Sequence, residues 1–88
     1  VTRLASVKTS AEGVAVKQPG QLTFAVAKEY VDEIITVSEK EIMEAVLLLL
    51  EKHKMIAETA GVVPLAGIRK RAKPGKNIVC LVSGGNID

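Results

Sequence analysis

Eighty-eight residues, 12 of them basic and 10 acidic, leave a net charge of +2, too even a balance for the dense positive field that nucleic acid or an anionic membrane selects. A chain this short buries only about 60–65% of its unfolded surface, so it holds one domain or less, with a thin core. Apolar residues make up 48%, which excludes disorder, but there is one Phe, one Tyr and no Trp, so Val, Leu, Ile and Ala must build that core.

Residues 1–20 carry no helical period and read as an ordered loop around one short extended piece, ended by Gln18-Pro19-Gly20. Leu22 to Tyr30 suits a helix, because Leu22, Ala25, Val26 and Glu29 fall at i, i+3, i+4 and i+7. It is too short to stand alone and is expected to pack on something. Asp32 to Val37 reads as a strand, being rich in β-branched residues. Ser38-Glu39-Lys40-Glu41 then fits a capping box that opens a helix running to about His53. Leu47 to Leu50 cover every side of a turn, so this helix is expected to be buried all round, by a second copy of the chain where its own residues do not reach.

Lys52, His53 and Lys54 suit the negative end of that helix. A solvated His53 at a helix terminus needs no catalytic role to explain it. Met55 to Glu58 is a short extended piece. A third helix starts at Ala60 or Gly61, tolerates Pro64 in its first turn, and closes at Arg69-Lys70-Arg71 before Lys73-Pro74-Gly75. That basic cluster has no interleaved aromatics, so it reads as charge complementing a helix end rather than as an RNA site.

Ile78 to Val82 is an unbroken apolar run, three of its five residues β-branched. It reads as a strand covered on both faces, which implies a parallel sheet. Ser83-Gly84-Gly85-Asn86 stops it. Two readings stand side by side: an ordinary turn, or a hydroxyl and a close backbone approach delivered to a ligand beyond the carboxyl end of a strand. Cys80 lies inside the run as a buried structural thiol; one cysteine excludes an internal disulfide and suits the cytosol. No apolar run reaches the 18 residues of a membrane span. The chain begins at Val1, which processing or excision from a longer protein would both explain.

Across residues 11–88, A-E-G-V-A-V, P-G-Q-L-T-F, Y-V-D-E-I-I-T-V-S-E-K-E-I, E-T-A-G and N-I-V-C-L-V-S-G-G-N-I-D follow one another in an order and spacing that resemble the later part of the catalytic region of threonine dehydratases (threonine ammonia-lyases). They are also similar to serine racemases, in the same fold-type II pyridoxal-phosphate group. The resemblance implies an α/β fold: a small parallel-sheet fragment, tryptophan synthase β-like, with helices packed on the sheet, residues 1–88 forming a single partial domain. It implies pyridoxal phosphate as the parent's cofactor, with Ser83 against the pyridine nitrogen, the Gly13 backbone close to the ring, and Glu58 near the same edge. A solvated carboxylate at a helix N-terminus is the plainer reading of Glu58.

The departures bear on activity. No S-F-K-x-R-G segment is present, so no Schiff-base lysine, and the glycine run that holds the cofactor phosphate is absent too. The resemblance therefore implies a cytoplasmic fragment, inactive alone and binding the cofactor weakly at most, with no catalytic residue and no metal ligand of its own. Its partners would be the remainder of the catalytic domain, an amino-acid substrate in the parent, and further copies in a homo-oligomer. The alternatives are an interaction module that kept the fold and lost the chemistry, a phosphate-binding domain using Ser83-Gly84-Gly85, and a fragment of a serine racemase or serine dehydratase. The absence of G-x-x-x-x-G-K-[ST] and G-x-G-x-x-G counts against the second.

Overall fold

The computed structural model describes residues 1–86, so Ile87 and Asp88, the end of the S-G-G-N-I-D motif, lie outside the described residues. Three α-helices are joined by irregular segments: α1 (Gln21–Tyr30), α2 (Glu39–His53) and α3 (Val63–Arg71), with short 3-10 turns at Glu12–Val14 and Ala60–Val62.

The capping box opens α2 as its sequence demands. The Ser38 hydroxyl accepts from the Glu41 amide at 3.1 Å, and the Glu41 carboxylate accepts from the Ser38 amide at 2.8 Å. The Ser38 amide, and after it the Ser38 hydroxyl, hold the Glu41 carboxyl below the ordinary carboxylate range. At the other end Lys54 turns left-handed (φ 55°), and the Met55 amide closes onto the Leu49 carbonyl at 3.1 Å.

α3 follows the 3-10 turn directly, with Pro64 in its first turn, where no intrahelical amide is lost. Its basic end lies along α2 and residues 33–36. Arg69 pairs with Glu44 at 3.7 Å, Lys70 with Glu41 at 3.6 Å, Arg71 with Glu33, and Lys70 Nζ donates to the Thr36 carbonyl at 3.0 Å. These pairs are exposed, so each contributes at most about 1 kcal/mol and they serve mainly to orient the helix.

The core is Ala11, Ile42, Ala45, Leu49, Ala57, Val62 and Ala66. Alanines dominate it, so little apolar area leaves water. Two expectations of burial are not met within the chain. α2 is buried only along Ile42, Ala45 and Leu49, while Met43, Leu47 and Leu50 face out, because a single partner helix covers one stripe. α1 buries none of its residues among those described, so the partner it needs is not supplied by this part of the chain.

The expected parallel sheet is not formed within this chain: among the described residues there is no strand. A strand exists only through a ladder to a neighbour about 4.8 Å away, and the two apolar runs do not pair with each other. Instead Ile35 and Val37 of one run and Ile78 of the other line an apolar groove of about 400 Å3 with Val63, Pro64 and Gly67. Both runs nonetheless keep the period of two. Ile34 is 82% exposed and Ile35 half-buried; Val79 is 96% and Leu81 75% exposed, while Cys80 and Val82 are half-buried. Each run has one face on the chain and one face open, so the double coverage expected for residues 78–82 is not met within it.

The exposed area measures the same deficit. The chain presents 7123 Å2 to solvent, against about 5,000 Å2 for a folded protein of its mass. Its extents of 38 × 35 × 19 Å describe a slab rather than a sphere.

Candidate functional site

The turn of residues 58–61, between α2 and α3, collects all three residues singled out in the sequence. Its own closure is local: the Gly61 amide donates to the Glu58 carbonyl at 2.9 Å. The segment after the second apolar run is strapped across it by two backbone bonds. The Ser83 amide donates to the Gly61 carbonyl at 3.2 Å, and the Glu58 amide donates to the Gly84 carbonyl at 3.1 Å. From the other side the 3-10 turn of residues 12–14 packs on Ala60; a Cβ on Gly13 would stand 3.0 Å from the Ala60 Cβ.

These contacts give the glycines internal reasons. Gly84 sits at φ +67°, and a Cβ there would run into the Glu58 carboxylate, 2.7 Å from its Cδ. Gly61 is tighter still: a Cβ would overlap the Ser83 carbonyl, 2.6 Å from its carbon and 3.1 Å from the Gly84 carbonyl oxygen. Gly13 therefore admits Ala60 as well as leaving its own backbone bare.

Ser83 and Gly13 are exposed and Glu58 is half-buried. The turn thus gathers a residue bearing a hydroxyl, one bearing a carboxylate and bare glycine backbone. That suits one edge of a flat polar ring. The edge supplies no ammonium group and no glycine-rich anion loop, so it can flank such a ligand but not anchor it. The apolar groove beside α3 is lined by other residues. His53 is exposed at the end of α2 and Cys80 is half-buried in the second run; neither belongs to this edge.

Sequence reasoning missed Gly61, read there only as a helix start, and missed the polar contacts that tie the loop before Gly13 to α2. Glu39 accepts from the Ser10 amide at 3.0 Å and the Ser10 hydroxyl at 2.6 Å, and the Thr59 hydroxyl donates to the Ser10 carbonyl. Ser10, Thr59 and Glu39 lie far apart in the chain, and no spacing rule links them.

Comparison with known proteins bears on this geometry. The family described as "Pyridoxal-phosphate dependent enzyme" matches residues 1–84. The chain is 48% identical over 87 residues to the L-threonine ammonia-lyase of Thermotoga maritima, covering 98% of this chain and 22% of that protein. It is 48% identical over 83 residues to the L-threonine ammonia-lyase of Geobacter sulfurreducens, covering 91% and 20%. It thus spans about a fifth of the length of these curated relatives.

Among solved structures it superposes on a T.th. threonine deaminase with a TM-score of 0.85 at 36% identity, covering 100% of this chain and 33% of that one. On the serine racemase of Dictyostelium discoideum the TM-score is 0.81 at 36% identity, covering 97% and 29%.

Proposed function

The chain belongs to the pyridoxal-phosphate dependent enzyme family, and we propose that it forms one wall of the cofactor pocket of a threonine ammonia-lyase, which converts threonine to 2-oxobutanoate and ammonia. The observation that carries this reading is the convergence of Gly13, Glu58 and Ser83 on the turn of residues 58–61. The interaction-module alternative offers no reason for a hydroxyl, a carboxylate and bare backbone to share one edge.

When bound, pyridoxal phosphate supplies the electron withdrawal that lets an α-proton and then a β-hydroxyl leave the amino acid. This chain's residues would hold one side of the ring. The Ser83 hydroxyl would hydrogen-bond the pyridine nitrogen. A hydroxyl does not keep that nitrogen protonated as a carboxylate would, which leaves the ring a milder electron sink and suits elimination over prolonged carbanion chemistry. Glu58 would border the same edge, and Gly13 would let backbone approach it. Proton transfer and covalent anchoring require a lysine that this edge lacks, so the chain alone is inactive.

The exposed faces fit the same reading. Two runs that alternate in burial without a ladder would complete a parallel sheet with strands from the remainder of the catalytic domain, as in fold-type II enzymes. Deprived of that cover, the isolated chain self-associates through Met43, Leu47 and Leu50 and the open runs. Sedimentation should show mass above the monomer; a stable monomer at high concentration would contradict it.

The function itself is tested by a graft. In the Thermotoga maritima relative, the matched portion is replaced by this chain. The chimera, supplied with pyridoxal phosphate and threonine, should release 2-oxobutanoate, and the 88-residue chain alone should release none above the cofactor-only background. A chimera that folds but is inactive, or an isolated chain that is active, overturns the proposal.

A further inference from the structure

We propose that Glu39 is a positioning residue: from the first turn of α2 its carboxylate holds Ser10, and through the Ser10 carbonyl the Thr59 hydroxyl, so that one side chain sets the Gly13 turn against the Glu58 turn. The inference rests on the reading above, in which both turns border the ring.

The contacts form a chain with few alternatives. Glu39 Oε2 takes both donors of Ser10, amide and hydroxyl, at 3.0 and 2.6 Å. Hydrogen bonds to an ionised carboxylate are about twice as strong as neutral ones. The Ser10 hydroxyl, first, holds the Glu39 carboxyl below its ordinary range, so it is charged where it acts. The Ser10 carbonyl is thereby turned to Thr59, the residue next to Glu58. On the same loop the Ala11 amide donates to Thr9 Oγ1 at 3.1 Å, and the Glu12 amide bonds back to the Ser10 carbonyl at 2.9 Å, which leads straight into the Gly13 turn. Helix capping does not explain this use of Glu39, since Ser38 and Glu41 already cap α2 between themselves.

Amide hydrogen exchange of the full chain reads the clamp without cofactor. E39A should speed exchange at Ser10 and Glu12 about tenfold or more, with Ala45 and Leu49 in mid-α2 unchanged. E39Q, which keeps an acceptor oxygen, should recover part of the protection. T59V should loosen the same loop, and E39A with T59V should do little more than E39A alone, because the two act in series. In the chimera, E39A and T59V should each weaken pyridoxal-phosphate binding about tenfold, with E39Q intermediate. Exchange that rises equally through α2, or additive effects, would show a merely structural role and overturn the proposal. An active wild-type chimera whose cofactor affinity ignores both substitutions would sink the clamp alone. An inactive wild-type chimera would sink the underlying reading, and the clamp's role with it.

Discussion

Gly61→Ala is expected to unseat residues 83 and 84 and to be among the most damaging single-methyl additions in the chain. The added Cβ would overlap the Ser83 carbonyl and press on the Gly84 carbonyl oxygen at 3.1 Å. Both are backbone atoms, which cannot swing aside as a flexible side chain would. Gly61 is also buried, within the 3-10 turn that carries Val62 into the core. Relief must come from breaking the Ser83-to-Gly61 and Glu58-to-Gly84 bonds, which together strap the edge shut. Overpacking of this kind costs about 3 kcal/mol or more. Urea unfolding of the chimera measures it, and cofactor affinity should drop more than tenfold in the same protein. Gly85→Ala is the control: its Cβ would meet only the Ile56 carbonyl oxygen at 3.6 Å, so its effect should stay within about 0.5 kcal/mol. Equal tolerance at both positions would mean that the strap is not held as described.

The second large effect separates neighbours in the leucine run. Leu49 is 6% exposed and packs in the cluster with Ile42, Ala45 and Val62, whereas Leu47 is 50% exposed. Leu49→Ala should cost about 3 kcal/mol, the lost transfer energy plus a cavity that the surrounding alanines are too small to fill. Leu47→Ala should cost less than about 0.5 kcal/mol in the monomeric state. Since a small domain is stable by only about 5 kcal/mol, Leu49→Ala should remove more than half of the isolated chain's stability, read as an earlier urea midpoint of its helical circular dichroism. Similar losses at the two positions would show that the outer face of α2 is as covered as the inner one.

How much could be read from the residues depended on how far apart the interacting groups lie. The capping box that starts α2 spans four residues, Ser38 to Glu41, and the signals around Pro64 are as local; such chemistry is visible in any window that contains it. The apolar runs at 32–37 and 78–82 read as strands, the second covered on both faces, whereas the alternating burial of Val79, Cys80, Leu81 and Val82 came into view only with the fold, because an unbroken apolar run does not mark which face is met. Their pairing was not legible, because a ladder is a property of two segments and neither run carries a mark of its neighbour. Four consecutive leucines suggested burial all round, but composition alone does not say how many sides of a helix are met. At the edge itself, Ser83, Gly13 and Glu58 came from the family pattern. Gly61 and the Glu39-to-Ser10 contact, 29 residues apart in the chain, needed the fold to bring them into view.

In the proposed pocket the oxygen of Ser83 faces the nitrogen of a bound pyridoxal ring. The visible absorption spectrum of the cofactor in the chimera carrying Ser83→Asp tests this most directly, because a carboxylate beside that nitrogen would keep it protonated and change the ring's electronic state. A shifted absorption maximum, with threonine turnover lowered about tenfold or more, is the predicted result, the loss matching about 1.4 kcal/mol of misplaced electrostatics. An unchanged spectrum and unchanged turnover would contradict it, placing residue 83 away from the ring.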